Sequence, residues 1–201
     1  MFESLRKYID LLDVSTISSS RKNELQKVID YISLCVSKNE PVKLNFICTH
    51  NSRRSHLSQV WAKTLASHFQ IDRVKCYSGG TEATAVYKTV IKTLENVGFI
   101  ITNLGPDSNP TYKLFMNDRD CPMTLFSKTF DDAYNPNTDF GAVMTCNHAD
   151  QNCPLIPNST RLSLPYTDPK EHDGTSYEDQ GYEDRSLQIA TEMKYIFSNI
   201  S

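Results

Sequence analysis

The chain has 201 residues, of which 39% are hydrophobic and 22% are charged. This size and apolar content suffice for one α/β domain with a full core and do not require a division into two domains. The formal net charge of -3 gives no case for nucleic-acid binding by the chain as a whole. The opening stretch MFESLRKYIDLL is charged and no segment has membrane length. We therefore expect neither a signal peptide nor a membrane partner.

The even number of cysteines raises the question of disulfide bonds. A chain of this length needs no such staples and shows no export signal, so we expect a reducing, cytoplasmic environment with free thiols. Cys35 and Cys76 lie in apolar patterns, which are typical of small buried hydrophobic residues. Cys121 lies in a polar stretch and receives no role. The six cysteines are Cys35, Cys48, Cys76, Cys121, Cys146 and Cys153.

Residues 1–40 are predicted to form a helical extension of two helices that packs against the domain or contacts a partner. Apolar residues recur there at helical spacing. Ser19 or Ser20 is the expected cap of the second helix, and Asn39 with Pro41 is expected to end it. The apolar positions are Leu5, Ile9 and Leu12 in the first helix and Leu25, Val28, Ile29 and Ile32 in the second.

From residue 41 to residue 201, strand patterns alternate with helix patterns. This order predicts a three-layer α/β sandwich with a parallel, doubly wound sheet. The predicted strands are VKLNFIC, RVKCYSGG, FGAVMTC and RLSLPY; helices follow the first two, one of them ending at Gly98, and a helix over 181–199 closes the chain. The apolar positions of that closing helix are Leu187, Ile189, Met193 and Ile196.

An insertion at about residues 106–139 interrupts this alternation. Its segments TYKLFMND and MTLFSKTFDD predict an aromatic-rich β-hairpin. Outside the insertion, Cys48 and Cys146 each stand at the carboxyl end of a predicted strand. Ligands of doubly wound sheets bind at that edge, so we expect these two thiols to lie on the same side of the molecule.

The stretch CTHNSRRS, residues 48–55, has the composition of an oxyanion-binding loop. A loop between a strand and a helix start presents backbone N–H groups and the positive end of the helix dipole. Arg54 adds a planar cation suited to bidentate binding. This field favours the nucleophilic thiolate of Cys48, to which Ser55 can donate, while Asn51 tolerates unusual φ. The predicted substrate-binding residues are Thr49, His50, Asn51, Ser52, Arg53, Arg54 and Ser55.

This loop resembles the C-x5-R-S loop of low-molecular-weight protein-tyrosine phosphatases and of the arsenate reductases built on the same fold. The resemblance runs from about residue 43 to residue 199 and includes CYSGGTEA and YTDPK. It implies that Cys48 is the nucleophile, that Arg54 binds the oxyanion and that Asp168 is the general acid.

Two residues depart from the family pattern. His50 replaces the usual glycine, and its Cβ would strain the loop unless its φ is below zero. Arg53 replaces what is often a small residue, and its side chain is expected either to strengthen oxyanion binding or to face solvent.

The stretch FGAVMTCNHADQNCP resembles the segment that carries the resolving cysteines of thiol-linked arsenate reductases. The resemblance implies a relay from Cys48 to Cys146 to Cys153, recycled by an external dithiol protein such as thioredoxin, with no cofactor and no metal. Four alternatives stay open. They are a phosphatase that hydrolyses phosphotyrosine, a non-catalytic oxyanion-binding or partner-binding module, a pair of buried structural cysteines, and a metal site that includes His148.

Overall fold

The computed structural model describes residues 1–105, 108–152 and 155–200, with the backbone alone for residues 148, 151 and 152. None of the helices in these ranges combines the length and the apolar character needed to cross a bilayer. The helices are α1 (Glu3–Leu11), α2 (Ser19–Ser37), α3 (Arg54–His68), α4 (Lys88–Asn96), α5 (Asn147–Asn152) and α6 (Glu178–Ser198). The strands are β1 (Val42–Cys48), β2 (Val74–Gly80), β3 (Ile100–Asn103), β4 (Tyr112–Phe115), β5 (Met123–Leu125), β6 (Phe140–Met144) and β7 (Ser159–Ser163).

The central sheet has the order β2-β1-β6-β7, and all three strand pairs are parallel. Alternate residues of its strands face opposite sides. Val143 belongs to the main core with the helices, whereas Ala142 and Met144 belong to a smaller cluster with Cys48 and Cys146. The predicted α/β fold with a parallel sheet and flanking helices is confirmed.

The insertion contains an antiparallel sheet of three strands, in the order β3-β4-β5. The predicted hairpin is present as β4 and β5, but β3 joins it, so this unit starts before residue 106. Residues 106 and 107 lie outside the described ranges. After β5 the chain returns to the central sheet, where Gly80 and Thr129 form a parallel bridge. The insertion therefore reaches the carboxyl end of β2.

The two N-terminal helices are confirmed, and their apolar faces join the main core. The expected cap was wrong by one or two residues: Ser18 caps α2, because its side chain accepts from the Arg21 N–H at 3.2 Å. The Arg21 side chain reaches α6, where Nε and Nη2 each bind a carboxylate oxygen of Glu192, at 3.0 and 2.9 Å. This buried ion pair ties the extension to the closing helix, while the division into residues 1–40 and 41–201 stays a prediction.

The closing helix predicted over residues 181–199 is present as α6, which begins three residues earlier, at Glu178, and ends at Ser198. Of the four apolar positions, Leu187 is 46% exposed and does not join the core. The physical reason is that Ser186 occupies the inward position, where its hydroxyl oxygen accepts from the indole N–H of Trp61 at 2.9 Å. A buried indole donor needs such an acceptor, and a leucine could not supply it.

Candidate active site

The loop over residues 48–55 joins the carboxyl end of β1 to the first turn of α3. Cys48 is 3% exposed, and its Sγ lies 3.2 Å from the hydroxyl oxygen of Ser55. Asn51 has φ 45° and donates through Nδ2 to the same oxygen at 2.8 Å. Because that oxygen already accepts from Asn51, the Ser55 proton is available to the sulfur. The loop thus has a donor in place for a Cys48 thiolate.

The main chain at Asn51 is held from behind by a buried histidine. His56 Nε2 lies 2.9 Å from the Asn51 carbonyl oxygen, and Nδ1 lies 3.2 Å from the Ser78 hydroxyl. Because a carbonyl only accepts, Nε2 carries the proton and Nδ1 accepts from Ser78. Burial and then the nearby Lys128 lower the pKa of His56 to about 3, so the ring is neutral. Sequence reasoning missed this contact.

The insertion also supports the loop, which sequence reasoning missed. Ser127 donates its hydroxyl to the His50 carbonyl at 3.0 Å. The Lys128 backbone N–H donates to Asn51 Oδ1 at 2.9 Å. Thr84, after β2, donates to the same His50 carbonyl at 3.1 Å. The loop backbone is therefore held by segments distant in sequence, and β5 leads directly into one of them.

Close backbone contacts require glycine at both positions that end β2, Gly79 and Gly80. A Cβ on Gly80 would lie 2.6 Å from the Thr49 carbonyl oxygen and 2.7 Å from the Asn51 nitrogen. A Cβ on Gly79 would instead lie 2.5 Å from the Phe130 Cα. Backbone atoms cannot yield as a flexible side chain can. The absence of a side chain therefore lets the oxyanion loop pack against Gly80 and the insertion pack against Gly79.

Arg54 and Asp168 are brought together, as the resemblance to the family implied. Arg54 Nη2 forms an ion pair with Asp168 Oδ2, and Nη1 donates to the Tyr166 carbonyl at 3.0 Å. Arg54 Nε is buried and has no hydrogen-bond partner among the described residues. Asp168 also accepts from the Lys170 N–H at 3.1 Å, which begins a short 3-10 turn. The Asp168 carboxyl group therefore lies against the first residue of α3.

The Arg53 side chain is only 11% exposed, so the expectation that it faces solvent was wrong. Nη2 binds Asp173 Oδ2 and Nε donates to the Tyr182 hydroxyl, both at 2.5 Å. The guanidinium carbon lies 4.2 Å from the centre of the Tyr87 ring. Two of the three guanidinium nitrogens are thus engaged by these partners, and the side chain is turned toward Asp173 and Tyr182.

His50 causes no left-handed strain, because Asn51 is the loop residue with positive φ. The His50 ring is partly exposed, and its Nε2 lies 3.6 Å from Glu82 Oε2. His50 thus has the φ below zero that a side chain at this loop position requires.

Cys146 lies beside the nucleophile loop, as its strand-end position predicted. Its sulfur is 3.7 Å from the Thr49 hydroxyl and accepts from the Ala149 N–H at 3.3 Å. Cys146 is 2% exposed and belongs to the same small apolar cluster as Cys48. Both are free thiols. The first step of the predicted relay would therefore join two thiols of one apolar cluster.

Cys153 and the His148 side chain lie outside the described part of the chain. The second relay step, from Cys146 to Cys153, and the alternative of a metal site with His148 therefore stay predictions. Within the described ranges, no group of three or more histidine, cysteine, aspartate or glutamate side chains is arranged to hold a metal ion.

Two further cysteines are consistent with the interpretation as packing residues. Burial raises the pKa of the Cys35 thiol and raises the pKa of Cys76 to about 12. A thiol that is protonated at neutral pH is a poor nucleophile. Cys121 is exposed.

Helix α5, which follows Cys146, is fastened to β7. Arg161 Nε binds Asp150 Oδ1 at 3.2 Å, and Nη2 donates to the Ala149 carbonyl at 3.1 Å. Ser163 donates its hydroxyl to Asp150 Oδ2 at 2.6 Å. Since Ala149 also donates to the Cys146 sulfur, Arg161 holds the residues that bury this thiol.

No protein-family model matches the chain. The chain is similar to arsenate reductase 2 of Staphylococcus haemolyticus strain JCSC1435, with 32% identity over 116 residues, 58% of this chain and 69% of that protein. It is similar to an arsenate reductase of Bacillus cereus strain G9842, with 30% identity over 125 residues, 62% of this chain and 74% of that protein. A solved arsenate reductase in the reduced state has a TM-score of 0.50 and 20% identity, covering 80% of this chain and 99% of that one; this likeness shows the fold. With these identities and coverages, the chain belongs to the arsenate reductase family.

Proposed function

We propose that this protein reduces arsenate to arsenite through a cysteine relay from Cys48 to Cys146 to Cys153. The observation that carries the proposal is the contact of the Cys146 sulfur with Thr49, the residue next to Cys48, at 3.7 Å. A phosphatase reaction needs only one thiol at this edge of the sheet, whereas reduction needs a second thiol within reach of the first.

In the first half-reaction the Cys48 thiolate attacks arsenic and forms a sulfur–arsenic bond. Arg54 and the loop N–H groups stabilise the charge on the oxyanion. Asp168 protonates the displaced oxygen, which departs as water. Arg54 is paired with Asp168 in the described state, so an oxyanion competes with Asp168 for the guanidinium. Binding thereby frees the carboxyl group that has to deliver the proton.

In the second half-reaction Cys146 attacks the Cys48 sulfur. The sulfur–arsenic bond breaks, its electron pair stays on arsenic, and arsenite leaves with arsenic in the trivalent state. The two thiols lose the two electrons that arsenic gains and become a disulfide. Cys153 then attacks Cys146 and moves the disulfide to the 146–153 pair. A dithiol protein such as thioredoxin reduces this pair in the cytoplasm, and no bound cofactor is required.

Protein-tyrosine phosphatase activity is the second candidate. The observation that favours it is the completeness of the first half of the site, since Cys48, Ser55, Arg54 and Asp168 are already assembled. The same residues would form and hydrolyse a phosphocysteine without a second thiol. Cys146 and Cys153 would then protect Cys48 against oxidation.

The deciding experiment measures arsenite formation with a thioredoxin-type reductant, beside hydrolysis of an aryl phosphate. We expect arsenite formation in the wild type and its loss in Cys146→Ser and in Cys153→Ser. Cys121→Ser, which changes an exposed cysteine without a role, is the matched control and should retain turnover. Aryl-phosphate hydrolysis that survives Cys146→Ser, with no arsenate turnover in the wild type, would establish the phosphatase instead. If the wild type turns over neither substrate, so that Cys48→Ser has no activity to remove, the protein is a binding module.

A further inference from the structure

Two consecutive arginines of the oxyanion loop bind two carboxylates of one segment, residues 166–173. Arg54 pairs with Asp168 near the start of this segment, and Arg53 pairs with Asp173 at its end. We infer that Arg53 is a positioning residue, which keeps the Asp168 segment over the loop while Arg54 releases Asp168 to bind the oxyanion. The inference deepens the proposed function and rests on it in assigning Asp168 to proton transfer.

The contacts of Arg54 show why one arginine cannot perform both tasks. Nη1 is bound to the Tyr166 carbonyl and Nη2 to Asp168, which leaves Nε as its buried donor without a partner. Bidentate binding of an oxyanion uses two N–H groups of the same guanidinium. When Nη2 turns from Asp168 to the substrate, the Arg53–Asp173 pair is the remaining ion pair between loop and segment in the described ranges.

The contacts around Arg53 fix the orientation of its guanidinium group. Asp173 accepts from Arg53 through one carboxylate oxygen and from the Tyr182 hydroxyl through the other, at 2.5 and 2.6 Å. Tyr182 is fully buried on α6. The Tyr87 ring stacks on Tyr182 with 5.4 Å between ring centres and lies under the Arg53 guanidinium. A lysine would keep the charge but lose the fork and the stacking.

The same cluster is joined to the loop main chain on its other side. The Tyr87 N–H donates to the Ser52 carbonyl at 3.0 Å, so the ring under Arg53 is fixed relative to the loop itself. Arg53 therefore connects the loop, the segment that precedes α4, helix α6 and the end of the Asp168 segment. This explains an arginine at a position where the family often has a small residue.

Hydrogen–deuterium exchange of residues 166–173, with and without inorganic phosphate, tests the inference without requiring turnover. In the wild type we expect the segment to stay protected when phosphate binds. In Arg53→Ala its exchange should rise, by about tenfold in the phosphate-bound form and less in the free form, because Arg54 still holds Asp168 there. Asp173→Asn should reproduce this pattern, and Arg53→Lys should lie between it and the wild type.

Arg161→Ala is the matched control, since it removes another partly buried arginine–aspartate pair and should leave residues 166–173 unchanged. A purely structural role for Arg53 predicts equal loss of protection with and without phosphate. That result, or wild-type exchange in both Arg53→Ala and Asp173→Asn, would overturn the inference. If phosphate does not bind the wild type, the oxyanion site of the proposed function is wrong. The free form then decides whether Arg53 holds the segment: a rise in the exchange of residues 166–173 in Arg53→Ala supports the inference, and wild-type exchange overturns it.

Discussion

Replacing Gly80 by alanine should damage the oxyanion loop more than it damages the fold. The new Cβ would lie 2.3 Å from the Glu82 carbonyl oxygen, 2.6 Å from that of Thr49 and 2.7 Å from the Asn51 nitrogen. These three atoms belong to backbone, so no side chain can turn aside to relieve the contacts. Thr49 and Asn51 are both residues of the loop that we expect to bind the oxyanion.

The distances set the size of the effect. To reach an ordinary 3.4 Å contact, the three atoms must retreat by about 0.7 to 1.1 Å. A displacement of roughly 1 Å in a binding constellation costs about a hundredfold, or about 2.7 kcal/mol of binding free energy. The strain itself should lower the free energy of unfolding by about 1–3 kcal/mol.

Calorimetric titration with inorganic phosphate and urea unfolding measure the two effects separately. Gly79→Ala is the matched control, because its Cβ would lie 2.5 Å from the Phe130 Cα on the insertion side. We expect a similar loss of stability in both variants, with phosphate affinity falling by less than about tenfold in Gly79→Ala. Wild-type affinity in Gly80→Ala, or an equal loss in both variants, would refute this account of Gly80.

Three further predictions concern stability and thiol access. Arg21→Ala leaves the buried Glu192 carboxylate without its cationic partner and with Gln188 as a remaining donor, so urea unfolding should show a loss of about 3 kcal/mol. Because burial lowers the pKa of His56 from 6.5 to about 3, the unfolded state alone binds this proton between those values. Stability should fall as pH falls through that window, and His56→Gln should reduce the slope by about 1 kcal/mol per pH unit. Arg161→Ala should speed alkylation of Cys146 by about tenfold, since α5 loses its attachment to β7.

Each of these has a control and a contrary result. A paired replacement of both ionic partners, Arg21→Met with Glu192→Leu, should restore most of the stability; a loss below about 1 kcal/mol in Arg21→Ala would contradict the first prediction. An unchanged pH slope in His56→Gln would show that its neutral state is not linked to folding. Alkylation of Cys146 in Arg161→Ala at the wild-type rate would show that α5 does not limit access, and Cys121 serves as the exposed reference thiol.

The sequence predicted those parts of the site that follow from local pattern. Hydrophobic periodicity marks the strand before Cys48, the helix that begins at Arg54 and the strand that precedes Cys146. Parallel strands then place both thiols at one edge, since their carboxyl ends coincide. Asp168 came from the resemblance of YTDPK to a family loop, and its contact with Arg54 agrees with that placement.

The missed parts depend on contacts between distant residues. Ser127 and Lys128 hold His50 and Asn51 from 77 residues away, and no local pattern marks a backbone carbonyl as their target. The environment of Arg53 required Asp173 and Tyr182, which become neighbours only after α6 packs on α3. Tertiary hydrogen bonding also explains why Leu187 is exposed, because Ser186 takes the inward position as the acceptor for the Trp61 indole N–H.

The most direct test of the central claim is to trap the first disulfide. In Cys153→Ser protein the relay has to stop after Cys146, so arsenate added without reductant should give a Cys48–Cys146 disulfide, identified by mass spectrometry of the digested protein, and an equimolar amount of arsenite. The account is contradicted if all thiols remain free after arsenate treatment, or if the disulfide that forms joins Cys48 to a cysteine other than Cys146.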